Sequence, residues 1–407
     1  MKPLLSRDMV EATCLTRAGR LSEAMALIQS VLRGGRPNDI PETAARTATI
    51  ALPPPQLELT RVYDGRVSNR PAESASILPL QVALGGAFNR LDLNGLDLNG
   101  LGLRGVPGRK APPASEIAPP SGTFIAKSFS NEAGRRSYKL YIPSRHGDDP
   151  RPLIVMLHGC TQSADDFAAG TRMNFAAEEH ACFVAYPEQP AAANPSKCWN
   201  WFKQSDQQRG RGEPALIAGI TRQVMRDHRV DARRIYIAGL SAGGAAAAIM
   251  GEAYHDLYAA VGVHSGLACG AARDLPSAFA AMRGDGPLRS SMSSAHPGER
   301  ALPTIVFHGD RDTTVHPRNG EEVIARAGAG GRLGATAERR TTSSGQRYTR
   351  SIQRDADGRS VLEQWEIHGG GHAWSGGNPA GSFTDPAGPD ATQEMLRFFL
   401  EHARSES

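Results

Sequence analysis

From residue 122 onwards, short apolar runs alternate with longer segments of helical pattern. The β-prone runs are 123–129, 137–142, 153–158, 182–186, 234–238, 260–264, 303–308 and 361–367. Helix-length segments lie between several of them, at 164–179, 214–228, 242–254, 318–327 and 391–403. This alternation predicts an α/β fold, a mainly parallel sheet with helices on both faces, over residues 122–404. The first two runs are close together and interleaved with polar residues, which predicts an antiparallel edge pair.

The pattern before residue 122 divides into two segments. Residues 8–33 carry apolar residues at helical spacing, interrupted at Ala18-Gly19-Arg20, and Ser22 can cap a second helix. We predict a helical hairpin at residues 1–35, similar to half of a tetratricopeptide-type hairpin. It is either a docking or self-association element or an extension packed on its own domain.

Residues 36–121 are rich in proline and glycine, which break regular elements. Within them, residues 91–105 contain three short Leu-rich, Gly-terminated copies, two of which read Leu-Asp-Leu-Asn-Gly. Three copies are too few to predict a solenoid. We therefore expect a largely flexible linker with at most one small apolar patch.

Composition excludes several function classes. The 46 basic residues nearly balance the 42 acidic ones, so a nucleic-acid partner is not expected. None of the five cysteines forms a C-x-x-C pair, and we expect no metal and no cofactor. A disulfide, for example between Cys160 and Cys198, is compatible with the count, but the sequence does not fix the pairing.

The sequence also bears on location. No apolar stretch approaches the roughly 20 residues that span a bilayer, so no membrane span is expected. Residues 1–32 lack the uninterrupted apolar segment of a signal peptide. By itself this indicates a cytoplasmic location, with export by another route left open.

Candidate chemistry begins at Gly239-Leu240-Ser241-Ala242-Gly243, between the apolar run 234–238 and a stretch of small residues. Strand, G-x-S-x-G turn and helix are the nucleophile elbow of an α/β-hydrolase. The glycines allow a sharp turn, and the Ser241 hydroxyl then projects above the sheet at the positive end of a helix.

A serine nucleophile needs a base, and the base needs an orienting acid. In α/β-hydrolases the chain order is Ser, Asp or Glu, His. Asp312 follows the run 303–308, and we prefer it to Asp310, which can instead hold the turn. His372 follows the run 361–367 in a glycine-rich loop and is the predicted base, whereas His368, at the strand end, is predicted to be structural.

The oxyanion of the tetrahedral intermediate requires backbone N–H donors. Ala242, directly after the nucleophile, is one predicted donor. The loop after the run 153–158 offers the second, which we assign to the N–H of Cys160. A Cys160 nucleophile is the rival assignment, disfavoured because Ser241 already occupies the elbow.

Taken together, the motifs resemble the polyhydroxybutyrate depolymerase family of esterases over about residues 122–404. They are Tyr138–Pro143, Leu157–Gln162, Tyr186–Gln189, Cys198–Phe202, Gly239–Gly243 and Gly371–Trp374. The resemblance implies hydrolysis of esters in short-chain polyhydroxyalkanoates, or of similar acyl esters, by the Ser241, Asp312 and His372 triad. Secreted members commonly carry a signal peptide and a polymer-binding domain, which are not visible here.

Trp199 and Trp374 are candidate substrate-binding residues, because aromatic faces suit the methyl and ester groups of a polyester. Ordinary core packing is the alternative for both. The favoured function is a serine esterase acting on polyhydroxybutyrate or its oligomers. A feruloyl or acetylxylan esterase, and a granule- or partner-binding protein acting through residues 1–120, are the alternatives.

Overall fold

The computed structural model describes residues 111–145, 147, 149–285, 302–328 and 333–404. The predicted hairpin at 1–35 and the linker up to residue 110 lie outside the described residues, and both stay predictions. Within the described ranges, no helix is long and apolar enough to cross a lipid bilayer.

A ten-stranded mixed sheet forms the centre of the described domain, in the order β1-β2-β4-β3-β5-β6-β7-β10-β9-β8. Its strands are β1 (Thr123–Asn131), β2 (Gly134–Ile142), β3 (Arg151–Leu157), β4 (Phe183–Pro187), β5 (Val230–Leu240), β6 (Ala260–His264), β7 (Thr304–Gly309), β8 (Gly334–Thr341), β9 (Arg347–Arg354) and β10 (Ser360–Ile367). The six central strands from β4 to β10 are parallel, and antiparallel strands flank them on both sides. This confirms the predicted α/β fold, including the antiparallel pair β1–β2.

Helices cover both faces of the sheet. They are α1 (Ala114–Ile117), α2 (Ala164–Thr171), α3 (Met173–Glu179), α4 (Gly212–Asp227), α5 (Ala242–Ala253), α6 (Leu275–Met282), α7 (Arg318–Ala327) and α8 (Ala391–Leu400). Side chains of α4, α5, α6 and α7 share one apolar cluster with the sheet, and those of α2, α3 and α8 share the other. Because helices bury both faces, β4 and β6 are buried along their whole length. A short parallel pair, β11 (Trp374–Ser375) and β12 (Thr384–Asp385), lies apart from the main sheet.

The structure differs from the predicted elements where the apolar pattern is weak. Strands β8 and β9 were not predicted, because β8 is exposed along most of its length and both strands are rich in arginine. The short helix α6 was also missed. The predicted helix 164–179 is two helices, because Arg172 adopts a left-handed φ of 54° between them.

The end of the predicted linker belongs structurally to the catalytic domain. Helix α1 lies within residues 36–121, yet its Ile117 carbonyl accepts a hydrogen bond from Asn174 Nδ2 at 2.9 Å. Its Glu116 accepts from Arg172 and from Asn378, both at 3.2 Å. The described residues before Gly122 are therefore fastened to α3 and to the loop after β11.

Candidate active site

Ser241 lies at the junction of β5 and α5 with φ 58° and ψ −121°, a conformation that residues other than glycine rarely adopt. The turn is too crowded for side chains on its flanks. A Cβ at Gly239 would lie 2.3 Å from the backbone of Gly243, and one at Gly243 would lie 2.0 Å from the Leu157 carbonyl oxygen. The two glycines are therefore required for the tight junction that aims the Ser241 side chain away from the strand.

Asp312 and His372 meet at the carboxyl edge of the sheet. Strands β7 and β10 are parallel neighbours, so the loops after them emerge side by side. His372 Nδ1 lies 2.7 Å from Asp312 Oδ2. The other oxygen, Oδ1, accepts hydrogen bonds from the backbone N–H groups of Thr314 at 2.9 Å and Val315 at 2.8 Å.

Electrostatics keep Asp312 ionised. Burial by itself would raise the pKa of Asp312, but hydrogen bonds from His308 and His372 and the proximity of both rings hold that pKa well below its usual range. An ionised carboxylate only accepts hydrogen bonds, so the proton of His372 is on Nδ1. The lone pair is then on Nε2, which is buried and has no hydrogen-bond partner among the described residues. This is the tautomer that a general base needs.

Asp310 and His368 form a separate pair close by. His368 Nδ1 lies 3.2 Å from Asp310 Oδ2, and Asp310 Oδ1 accepts from the Gly369 N–H at 2.6 Å. The second ring nitrogen of His368 lies 2.8 Å from Thr349 Oγ1. The structure thus brings Asp312 to His372, and Asp310 to the turn that precedes the histidine loop.

His264 connects the elbow to the histidine loop. Its carbonyl oxygen accepts from the Ser241 N–H at 2.9 Å, and its ring Nε2 accepts from the Ser375 N–H at 2.9 Å. Burial lowers the pKa of His264 to about 3, so the ring is neutral and can accept. One fully buried residue at the end of β6 therefore fixes both the nucleophile and the segment after His372.

The loop after β3 lies against the elbow. A Cβ at Gly159 would be 3.7 Å from Ser241 Cβ, and the Gly159 N–H donates to Gln162 Oε1 at 2.8 Å. The N–H groups of Cys160 and Ala242 have no acceptor within the described part of the chain. Cys160 is joined to Cys198 by a disulfide, so it has no thiol with which to act as a nucleophile.

Residues 188–200, which we call the strap, contact the loop after β3. This loop, residues 158–162, carries the predicted oxyanion donor Cys160 and is called the oxyanion loop below. Gln189 N–H donates to His158 Nε2 at 3.1 Å, and the Trp199 indole N–H donates to the His158 carbonyl at 3.1 Å. The Thr161 N–H donates to the Ser196 carbonyl at 2.7 Å. With the disulfide, four links join the strap to residues 158–161.

The strap is in turn held by Glu213, a buried residue at the start of α4. Its carboxylate accepts from the Asn200 N–H at 2.7 Å, from Asn200 Nδ2 at 2.6 Å and from Gln189 Nε2 at 2.5 Å. Burial raises the pKa of Glu213, and these hydrogen bonds counteract only part of the rise. Burying a carboxylate without hydrogen-bond donors would cost free energy of folding. The three donors from Asn200 and Gln189 therefore fix the strap to the start of α4.

The two predicted substrate-binding tryptophans are not at a surface. Trp199 is 0% and Trp374 is 1% exposed. Trp199 lies 5.6 Å from the His158 ring, and Trp374 stacks on His264 at 5.1 Å while its N–H donates to Thr392 Oγ1 at 3.0 Å. The assignment to substrate binding is therefore corrected: in this structure both rings are core residues that support the loops of the site.

The model of the family described as esterase PHB depolymerase matches residues 136–348, more than half of the chain. This chain belongs to that family. The matched segment includes Ser241 and Asp312 and ends before His372.

Individual relatives agree with the family. The chain is 30% identical over 254 residues to poly(3-hydroxyalkanoate) depolymerase C of Paucimonas lemoignei, and the alignment covers 60% of each protein. It is 29% identical over 199 residues to feruloyl esterase B of Thermothelomyces thermophilus, covering 46% of this chain and 67% of that one. An acetyl xylan esterase structure from Aspergillus awamori matches with a TM-score of 0.55 at 19% identity, covering 68% of this chain and 99% of that one. That structural likeness shows the α/β-hydrolase fold.

Sequence reasoning missed several residues that organise this depolymerase-family site. His158 directly follows the buried strand β3, and His264 is the last residue of β6. A histidine at the end of a buried strand is a sequence feature that could have identified both as site residues. Glu213 and Gln189 carried no such signal, because their partners are distant along the chain.

One group of side chains in the described residues could hold a metal ion. Asp310, Glu366 and His368 place ligand atoms within 4.8 Å of one another. An ion there would have to displace the existing hydrogen bonds of His368 to Asp310 and Thr349. As they stand, Asp310 and His368 join the turn after β7 to the segment after β10 and to β9.

Proposed function

We propose that this chain is a serine esterase that hydrolyses the ester bonds of short-chain polyhydroxyalkanoates, such as polyhydroxybutyrate, or of their oligomers. The observation that carries the proposal is the His372–Asp312 hydrogen bond, which leaves His372 Nε2 as an unpartnered acceptor in a chain whose elbow holds Ser241. Membership in the depolymerase family and the 30% identity to a poly(3-hydroxyalkanoate) depolymerase support the substrate class.

In the proposed reaction, His372 takes the proton of the Ser241 hydroxyl as its oxygen attacks the ester carbonyl. Asp312 stabilises the imidazolium that forms. The N–H groups of Cys160 and Ala242 stabilise the oxyanion, and one such donor is typically worth a factor of about 100–1,000 in rate. His372 then protonates the leaving alkoxide, which departs as the hydroxyl end of the first product.

A water molecule completes the cycle. It gives a proton to His372 and its oxygen attacks the acyl-enzyme carbonyl. Collapse of the second tetrahedral intermediate releases a carboxylic acid and returns the proton to Ser241. The net reaction consumes one ester bond and one water and yields one acid and one alcohol.

The Ser241→Ala variant tests the mechanism with p-nitrophenyl butyrate as substrate. We expect kcat to fall by more than about 1,000-fold, since a triad member acts as part of a unit. Ser130→Ala, at an exposed position on β1, is the matched control and should retain full activity. Activity of Ser241→Ala above one-thousandth of wild type would contradict the assignment of the nucleophile.

A feruloyl or acetylxylan esterase is the second candidate, supported by the 29% identity to a feruloyl esterase B. Both candidates use the same residues and differ only in the acyl and alcohol groups. Parallel assays on amorphous polyhydroxybutyrate, feruloylated arabinose and acetylated xylan separate them. Faster turnover of either carbohydrate ester would replace the polyester assignment and leave the esterase chemistry intact.

A further inference from the structure

A cavity of about 300 Å³ lies beside the oxyanion loop. Every lining residue except Pro190 carries a polar side chain. Arg135 and Ser137 come from the start of β2, Glu188 and Lys197 from the strap, and Gln162 from the oxyanion loop. The cavity therefore opens at the same edge of the sheet as the elbow.

The sheet order gives the distance from the nucleophile. Ser241 follows β5, and β3 and β4 are the next two strands in the direction of the cavity, with β2 beyond them. Neighbouring strands are about 4.8 Å apart. The cavity, at the ends of β4 and β2, is thus on the order of 10 Å from the elbow.

The charges that face the cavity sum to a positive value. Lys197 and Arg135 form no ion pair within the described residues, and Arg135 donates only to Ser128 Oγ, at 3.2 Å. The single carboxylate, Glu188, is already engaged, because its Oε1 accepts from the Ala164 N–H at the start of α2. The buried His158 ring is neutral, since burial lowers its pKa to about 4.

The cavity is also preformed. Its Lys197 and Gln189 belong to the strap, which the disulfide at Cys198 and the Glu213 carboxylate hold in place. When the side chains and loops of a binding site are already ordered, ligand binding costs less conformational entropy. Two cations, Lys197 on the strap and Arg135 at the start of β2, are suited to a ligand that carries one anionic group.

We propose that this cavity binds the terminal carboxylate of a hydroxyalkanoate oligomer, about two units from the ester bond that is cleaved. The proposal rests on the proposed function and specifies its substrate. In a polyhydroxyalkanoate, the chain continues from the leaving oxygen towards the free carboxyl end. The carboxylate therefore lies on the leaving-group side. Each unit adds four backbone bonds, or about 4–5 Å when extended, so two units span the distance.

This arrangement predicts the products as well as the affinity. Cleavage two units from the carboxyl end turns a trimer into one monomer and one dimer, with one water consumed and the dimer leaving through its new hydroxyl. A tetramer is expected to give two dimers. The acyl group on Ser241 always comes from the hydroxyl-end portion of the oligomer.

The test compares the 3-hydroxybutyrate trimer as free acid with its methyl ester, using the full chain. The wild type should have a KM for the free acid roughly tenfold lower than for the methyl ester, because charge-assisted hydrogen bonds favour the anion. The Arg135→Gln/Lys197→Gln double variant should lose this preference to within a factor of two. A general loss of activity through the strap, to which Lys197 belongs, cancels in the ratio of the two KM values, and far-UV circular dichroism shows that the double variant has folded.

Lys203→Gln is the control, because Lys203 is exposed and does not line the cavity. It removes one positive charge and should keep the preference for the free acid. Equal KM values for the two trimers in the wild type, or an undiminished preference in the double variant, would overturn the carboxylate site alone. Failure of the wild type to hydrolyse p-nitrophenyl butyrate would instead contradict the proposed function.

Discussion

The two sides of Ser241 are built in different ways. On the acid–base side, Asp312 and His372 follow adjacent parallel strands, and Asp312 is fixed by N–H groups only two and three residues further along. On the side of the proposed oxyanion donor, residues 158–161 are held by the strap through a disulfide and three hydrogen bonds. The strap is itself held by hydrogen bonds to Glu213. One side depends on the sheet, and the other depends on contacts between distant loops.

Because of this difference, substitutions on the two sides should affect different properties of the enzyme. A substitution on the acid–base side should remove a reacting or orienting group and leave the sheet intact. A substitution in the strap should instead change how firmly the oxyanion donor is held, with stability and rate affected together. Three experiments address this contrast.

The largest effect is expected for Asp312→Asn. The amide cannot hold the Nδ1–H tautomer of His372, and kcat should fall by about 10,000-fold, with a much smaller change in KM. Asp310→Asn is the matched control two residues away, and it should lose less than about tenfold, because its partners are His368 and Gly369. Steady-state kinetics with p-nitrophenyl butyrate measure both. A greater loss in Asp310→Asn would reverse the assignment of the acid.

Removal of the disulfide by Cys160→Ser/Cys198→Ser should have an intermediate effect. The bridge closes a loop between residues 38 positions apart, and its loss should lower the free energy of unfolding by roughly 2–4 kcal/mol. Residues 158–161, which carry the proposed oxyanion donor, also lose one of their four links to the strap, so we expect kcat to fall by about tenfold.

Denaturant unfolding and kinetics, each with and without dithiothreitol, measure these changes. The double variant should be insensitive to the reductant. In dithiothreitol, the wild type should approach the free energy of unfolding and the kcat of the double variant. Cys269→Ala, at a buried free cysteine, controls for the loss of a thiol. A double variant with full stability and activity would show that the remaining strap contacts suffice.

Acid is expected to lower the stability of both sides without removing a reacting group. His158 on the oxyanion side and His264 on the acid–base side have folded pKa values of about 4 and about 3, lowered by burial from an ordinary 6.5. Between these values the unfolded chain binds more protons than the folded one, so stability falls as pH decreases from about 6.5. For His158 alone the loss between pH 7 and pH 4 is roughly 3 kcal/mol.

Guanidinium unfolding at a series of pH values measures the slope. His158→Gln should remove its own share of the pH dependence and retain that of His264, and His264→Gln should do the reverse. If neither variant flattens the curve, the two rings do not carry the acid sensitivity. Unequal shares would show which side of Ser241 loses more stability as the pH falls.

The sequence predicted the features that local physical rules determine. Buried parallel strands read as apolar runs, and a strand followed by G-x-S-x-G indicates an elbow whatever surrounds it. Asp312 and His372 could be proposed from chain order, because parallel strands deliver their following loops to one edge. The family expectation is confirmed by the match over residues 136–348.

The features it could not predict depend on long-range contacts. The sequence predicted that Trp199 and Trp374 bind substrate. Only the packing in the structure shows that their rings lie against His158 and His264. Glu213 carries no local signal, since its donors are 13 and 24 residues away. Strands β8 and β9 lack an apolar period, because most of their side chains face solvent or form ion pairs.

Trp199 and Trp374, which pack in the core and not at a substrate surface, can serve as two intrinsic fluorescence probes. Trp199 lies beside His158 and Trp374 is stacked on His264, so each side of the nucleophile has one indole against one titratable ring. A protonated imidazole quenches the fluorescence of a neighbouring indole far more strongly than a neutral one, because it accepts an electron from the excited ring. Intrinsic fluorescence of single-tryptophan versions of this chain can therefore follow the two sides of the catalytic centre separately, without an added label.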